Sequence, residues 1–183
     1  MLTWGDTPIT LSTANSYSYA KSRSTLRAYL RDHMGAQDLS RDGAHTPYHF
    51  GDHAAAFEPL LASYVVPRVW ALSERLQPSL SWGLAGDGSG VPFHVHGHVF
   101  AEVLHGRKHW LLLPPEVRPE FDPDEPPLKW MLRRLLNGTR MSVHVEAALQ
   151  QCTLSAGEIL YLPSMWWHAT LNLGQSVFIS AFV

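Results

Sequence analysis

The pattern of hydrophobic and polar positions changes near Pro78. Before it, Ser24–Met34 and Ala54–Tyr64 place apolar residues at helix-like spacing, so we predict two helices that flank a sheet. After it, short runs rich in β-branched and aromatic residues are separated by glycine and proline, as in strands joined by turns. The predicted strands are Ser79–Ala85, Val91–His96, Phe100–Leu104, His109–Leu113, Cys152–Leu154, Ile159–Leu162, Trp167–Leu173 and Val177–Val183.

One predicted helix interrupts these strands. It covers about Leu128 to Leu136, follows the proline-rich stretch Pro114–Pro127 and divides the strands into two sets. A series of short strands of this kind predicts a mainly β protein with a sandwich or barrel core. We place flanking strands and helices in residues 1–78 and the barrel core in residues 79–183.

Composition narrows the class of protein. At 183 residues the chain has the length of one domain, and 45% hydrophobic against 16% charged residues is typical of a globular protein. A net charge of −2 without basic clusters argues against a nucleic-acid partner. No apolar run approaches the roughly 18 residues of a membrane helix, and the first residues lack the pattern of a signal peptide. The lone Cys152 excludes an internal disulfide.

Two of the eleven histidines form an H-x-H pair. His94 and His96 lie in one predicted strand, and because side chains alternate along a strand, both rings face the same side. The glycine-rich residues 86–90 provide a tight turn before them. A third imidazole, His168, follows two tryptophans far along the chain. We therefore predict that His94, His96 and His168 together hold one metal ion.

The alternative is that His94 and His96 are ordinary polar residues on a strand. An isolated H-x-H pair does not decide between the two interpretations, but the distant His168 and the glycine and proline spacing before it favour a site. We interpret the neighbouring His98 and His105, together with His109, as bystanders on the same polar stretch.

The order of these motifs resembles the cupins, and the JmjC family in particular. Gly88, five further residues and then His94-Val95-His96 are similar to the first cupin motif. The stretch Gly157–Asn172, which contains His168, is similar to the second cupin motif. The segment His105–Pro115 resembles the JmjC strand in which a lysine, here Lys108, binds 2-oxoglutarate.

The resemblance implies a double-stranded β-helix, the jelly-roll barrel of the cupins. It implies Fe(II) or another divalent metal on the three histidines, 2-oxoglutarate as co-substrate, and an oxygenase that hydroxylates a C–H bond. Lys108 would anchor the distal carboxylate of the co-substrate, a pairing that a dry pocket strengthens, and Asn172 would contribute to the same site. A protein substrate or protein partner, and the endoplasmic reticulum lumen as location, are also implied.

Three positions bear on whether such a site is active. His96 stands where most active JmjC oxygenases carry an acid, and the loss of that negative charge weakens the hold on a metal. Val91 stands where many hydroxylases carry a threonine, and valine cannot make that hydrogen bond. Glu102 shares the strand parity of the H-x-H pair, so it is a candidate additional ligand if the strand runs unbroken.

Three functions therefore compete. The first is an Fe(II)/2-oxoglutarate-dependent oxygenase, for example a protein hydroxylase. It is favoured because the three histidines and Lys108 follow one another along the chain in the same order as in the JmjC family. The second is a catalytically degenerate JmjC module that acts as a binding protein or scaffold, and it is favoured by His96 and Val91. The third is a metal cupin that does not use 2-oxoglutarate, and it is favoured by Glu102.

Overall fold

The computed structural model is dominated by antiparallel strands. The described residues are 4–13, 21–35, 47–51, 55–67, 78–136 and 140–183. The strands are β1 (Pro8–Ser12), β2 (Lys21–Thr25), β3 (Tyr48–Phe50), β4 (Ser79–Ala85), β5 (Val99–Leu113), β6 (Gln150–Ser155), β7 (Ile159–Leu162) and β8 (Trp167–Phe182). The helices are α1 (Leu26–Asp32), α2 (Glu58–Ala62), α3 (Pro127–Met131) and α4 (Val143–Ala148).

Two short helical turns join these helices. A 3-10 turn, Ala55–Phe57, leads into α2, and a π-type turn, Leu132–Leu136, continues α3. None of the helices in the described segments is long and apolar enough to cross a membrane.

The two longest strands, β5 and β8, belong to both halves of the barrel. Their pairing runs from Val99↔Phe182 to Leu113↔Trp167. The first half of β5 also pairs with β7 and the second half with β6, while β4 pairs with the second half of β8. On the far side of β4 the sheet continues through β3 and β1 to β2. The predicted double-stranded β-helix is therefore confirmed.

A bend at Gly106 lets one strand serve both halves. The register between β5 and β8 shifts on either side of His105, and Gly106 has a φ of +77°. A Cβ atom at Gly106 would lie 2.0 Å from the carbonyl oxygen of Gln175. Only glycine allows both this left-handed backbone and this close approach.

The three largest of four apolar clusters in the described residues form most of the core. Side chains from both halves of β5, such as Val103 and Trp110, meet inside the barrel with Leu154. Outside it, α1 and α2 cover one half, with Tyr29 and Phe57 packed in the cluster that contains Trp82 of β4. The helices α3 and α4 cover the other half, where Trp130 packs against Phe93. The barrel thus has apolar material on both faces of its wall.

The N-terminal helices are shorter than predicted. Ser24 and Thr25 belong to β2, where they pair with Ile9 and Pro8. The helix begins at Leu26 because the Thr25 side chain accepts a hydrogen bond from the Ala28 N–H, which caps the first turn. The second predicted helix corresponds to the 3-10 turn and α2, while its predicted first residue, Ala54, lies outside the described residues.

Several strand predictions change in extent. The runs Phe100–Leu104 and His109–Leu113 are parts of β5, and the two C-terminal runs are parts of β8. The expectation of a strand at Val91–His96 is wrong. This segment has only one isolated bridge, between His94 and His168, because Pro92 lacks the N–H that a ladder needs.

Candidate metal centre

The loop between β4 and β5 carries His94 and His96. Although it is not a strand, backbone hydrogen bonds tie it to β8: the N–H of Thr170 donates to Val91 at 2.9 Å, and His94 and His168 exchange two bonds of 3.0 Å. Gly90 makes this approach possible, since a Cβ there would lie 1.9 Å from the Thr170 carbonyl oxygen. The first histidine is thereby fixed directly opposite the third.

The three predicted histidines converge. A ring nitrogen of His94, of His96 and of His168 all lie within 4.8 Å of one another, and the ring centroids are 4.0 to 5.5 Å apart. His168 is buried, with 2% of its surface exposed, whereas the other two are half-buried. Three nitrogen donors at this spacing match the needs of one metal ion with open coordination positions.

The backbone fixes which nitrogen each ring offers. The Nδ1 atoms of His94, His96 and His168 lie 2.8, 2.8 and 2.9 Å from the carbonyl oxygens of Pro92, Gly97 and Trp166. A carbonyl only accepts, so each Nδ1 carries the proton and each Nε2 keeps its lone pair. The donor set therefore suits a metal.

All three imidazoles are held in the neutral form. Burial lowers the pKa of His94 to about 4, and burial also lowers the pKa of His96. Burial and the two neighbouring imidazoles lower the pKa of His168 well below its usual range. The Nε2 atom of such a neutral imidazole has no proton to displace when a metal binds at pH 7.

Glu102 does not join this group. Its carboxylate accepts a hydrogen bond from the hydroxyl of Tyr64, which lies just after α2, and it is not among the groups clustered within 4.8 Å. The unbroken strand on which this expectation depended is absent, because His94 and His96 lie in a loop and β5 begins at Val99. Glu102 lines the same cavity but lies outside the clustered ligands of the described conformation, so its part in a metal site stays a prediction.

A cavity of about 390 Å³ extends from the three histidines into the barrel. Lys108 lines it, and only 3% of this residue's surface is exposed. Burial lowers the pKa of Lys108 well below its usual range. Val91 also lines the cavity, at the position where the sequence lacks the threonine of many hydroxylases.

Asn172 lies next to the cavity wall, and its expected part in co-substrate binding stays a prediction. It pairs with Lys108 in the β5–β8 register, but it does not line the cavity. Its side-chain amide donates to the carbonyl oxygen of Ser89 at 2.8 Å, and so holds the glycine-rich turn against β8. Its role in the described structure is to support the loop that carries the H-x-H pair.

Sequence reasoning missed several polar residues of the cavity. Tyr48 of β3, and Thr170 and Ser180 of β8, line it. Trp110 also lines it, and its buried indole N–H has no acceptor among the described residues. Trp110 could have been predicted, because it lies two residues after Lys108 on the same strand and therefore faces the same side. Tyr48 could not, because it comes from a strand that is distant in sequence and carries no motif.

The other histidines lie apart from the group. His98 is exposed and its Nδ1 lies 2.8 Å from the Tyr161 hydroxyl, and His109 contacts Thr153 of β6. His105 is exposed on β5. None of the three is among the clustered ligands in the part of the chain that the structure describes.

Comparison with known proteins places the chain in a family. A family model described as a cupin-like domain matches residues 15–182. JmjC domain-containing protein 8 of Mus musculus is 44% identical over the whole chain, and the Homo sapiens protein of that name is 43% identical. The chain belongs to the JmjC family of cupins. It spans 66% of the mouse relative and 67% of the human one.

A solved structure has a similar fold. YcfD, a ribosomal oxygenase from Escherichia coli whose structure is in complex with cobalt and 2-oxoglutarate, has a TM-score of 0.53 and 17% identity. The match covers 97% of this JmjC chain and 40% of YcfD. At this identity the similarity shows a shared fold.

Proposed function

We propose that this JmjC protein is a divalent-metal, 2-oxoglutarate-dependent oxygenase, with iron as the metal and a protein as the substrate. The observation that carries the proposal is a single cavity with three Nε2 lone pairs at one end and a buried ammonium, Lys108, beside them. A 2-oxo dicarboxylate needs both features, a metal for the oxo-acid end and a cation for the distal carboxylate.

The donor set supports a first-row divalent metal. Neutral imidazoles bind iron, zinc, copper and nickel, so His94, His96 and His168 would hold the ion without charge compensation of their own. A dianionic co-substrate supplies negative charge at such a site. This coupling would make metal and 2-oxoglutarate bind more tightly together than alone.

The cavity wall supports a carboxylate-bearing ligand. Lys108 supplies the cation, and the hydroxyls of Tyr48 and Thr170 are further polar groups of the same wall. The indole N–H of Trp110, which finds no acceptor within the described segments, is another. Burial makes each of these donors stronger toward an anion than it would be in water.

Each residue has a defined task in this proposal. When bound, the metal and 2-oxoglutarate supply the oxygen-activating chemistry. The three carbonyl contacts orient the imidazoles, Lys108 orients the co-substrate, and the inner apolar cluster around Val103 and Leu154 limits the access of water. YcfD is named as a ribosomal oxygenase, which supports a protein or protein assembly as the target.

Succinate formation from 2-oxoglutarate, with ferrous iron and ascorbate under air, tests the proposal. We expect slow turnover in the wild type, and loss of at least about tenfold in Lys108→Met because its charge-assisted contact is worth more than one factor of ten. His98→Ala is the control, since it lies outside the group. A wild type that binds iron and 2-oxoglutarate without forming succinate would contradict the oxygenase proposal.

One observation favours a second candidate, a metal-binding JmjC module without catalytic activity. His96 replaces the carboxylate that active relatives use, so the site has no anionic protein ligand among the described residues. This candidate predicts metal and 2-oxoglutarate binding without turnover, and the gain of succinate formation in His96→Asp. Equal inactivity of that variant would count against it.

A further inference from the structure

The ammonium of Lys108 rests on an aromatic ring. Its Nζ lies 3.2 Å from the centroid of the Phe178 ring and 6.0 Å from that of Trp110. Glu102 is the only acid among the described cavity-lining residues, and its carboxylate is engaged by Tyr64. In the described structure the ammonium therefore has an aromatic face, and no carboxylate, as its neighbour.

The Phe178 ring is itself held in place. It stacks on Phe50 of β3, with centroids 5.6 Å apart and an interplanar angle of 28°. Gly83 lies directly opposite Phe178 in the β4–β8 register, and a Cβ there would come within 2.3 Å of the ring. The absence of a side chain at Gly83 leaves the room that the ring occupies.

We propose that Phe178 is a positioning residue, which holds the Lys108 ammonium where the distal carboxylate of the co-substrate binds. The negative face of an aromatic ring replaces part of the hydration that a buried ammonium loses. The ring favours the charged form of Lys108, which burial disfavours, and it adds no negative charge that would compete with an incoming carboxylate. This inference rests on the proposed function, because it concerns the co-substrate end of the same cavity.

Titration calorimetry of zinc-loaded protein tests the inference without turnover. The ligands are 2-oxoglutarate and pyruvate, a 2-oxo acid that lacks the distal carboxylate. We expect Phe178→Leu to weaken 2-oxoglutarate binding about tenfold, as a cation–π contact in a desolvated site implies, and to leave pyruvate and zinc affinity unchanged. Phe178→Tyr, which keeps the ring, should restore most of the affinity.

Two further variants separate positioning from general loosening of the barrel. Phe100→Leu makes the same change in the outer cluster, away from Lys108, and should leave both affinities unchanged. In a Lys108→Met background, Phe178→Leu should have no further effect on 2-oxoglutarate. An equal loss for pyruvate, an effect that persists without Lys108, or no effect at all would overturn the inference.

A proton NMR measurement on the unmodified protein covers the case in which Phe178→Leu does not fold. The ε-methylene protons of Lys108, identified by their loss in Lys108→Met, should be shifted upfield by the ring current of Phe178 before ligand is added. Ordinary shifts would overturn the inference. If the wild-type protein binds zinc but not 2-oxoglutarate, both the proposed function and the inference fail. If the wild type and Phe178→Leu bind 2-oxoglutarate equally well, only the inference fails.

Discussion

His168 is the residue on which the candidate metal centre depends most. It is the most buried of the three imidazoles and the only one that comes from β8. Without it, the loop that carries His94 and His96 offers two nitrogens, too few to compete with water for a divalent ion. His94 and His168 are far apart in sequence, so the two rings can meet only if the loop before β5 and the strand β8 are arranged as in this fold.

We expect His168→Ala to weaken zinc or cobalt binding by about a hundredfold or more, since even changes outside the ligand set cost up to that much in metal sites. Metal affinity by competition with a chromophoric chelator measures the effect. His98→Ala removes an exposed imidazole outside the group and should bind metal like the wild type. Equal affinity of His168→Ala and wild type would show that the metal binds elsewhere.

At the scale of residues, the sequence predicted the ligands better than their surroundings. The H-x-H pair and His168 converge as predicted because they carry motif spacing. The ring of Phe178 beneath Lys108 could not be predicted, because it depends on the register between β4 and β8 and on the missing side chain of Gly83. Strand parity could not place Glu102 relative to the H-x-H pair, because parity does not extend through a loop.

At the scale of elements, the bend in β5 is what joins the two halves of the barrel. Gly106 and Gly174 have nearly the same backbone, with φ of +77° and +80°. They differ in their surroundings: a Cβ at Gly106 would lie 2.0 Å from a carbonyl oxygen, whereas nothing lies within 4 Å at Gly174. The pair separates the cost of a left-handed backbone from the cost of a steric clash.

We expect Gly174→Ala to lower the free energy of unfolding by about 1–2 kcal/mol, the cost of left-handed backbone at a residue with a Cβ. Gly106→Ala adds a clash with backbone and should cost roughly 3 kcal/mol or more. Urea unfolding of both variants measures the difference. Equal costs would show that β5 can move away from Gln175, and that the bend is not fixed by this contact.

Strand existence was predicted more reliably than strand extent. Ile159–Leu162 appears with its predicted bounds, since glycine and proline punctuate both of its ends. The break predicted between Leu104 and His109 is absent, because Gly106 bends β5 without ending it. The short α4 was missed, although Ser142 caps it by accepting a hydrogen bond from Val145, because six residues are too few to show a helical period.

At the scale of the whole molecule, metal binding and folding are linked through the cavity. The barrel keeps His94, His96 and His168 neutral by burying them. The unfolded chain imposes no such burial, so there each imidazole takes up a proton near its usual pKa of about 6.5. The free energy of unfolding of the metal-free protein must therefore depend on pH in the range between the folded-state and the unfolded-state pKa of these imidazoles.

The sign of that dependence follows from proton counting. Between pH 6.5 and about 4, the unfolded state binds a proton at residue 94 that the folded state does not, so the free energy of unfolding rises with pH across this window and falls as the solution is acidified. His94→Asn cannot take up that proton, and should flatten the slope by up to about 1.4 kcal/mol per pH unit. Urea unfolding in the presence of a chelator, at several pH values in this window, measures the slope.

The control variant is Phe100→Leu, which lowers stability without removing a titrating group, so its slope should match that of the wild type. An unchanged slope in His94→Asn would mean that His94 titrates alike in the folded and unfolded states. The barrel would then not hold this imidazole neutral.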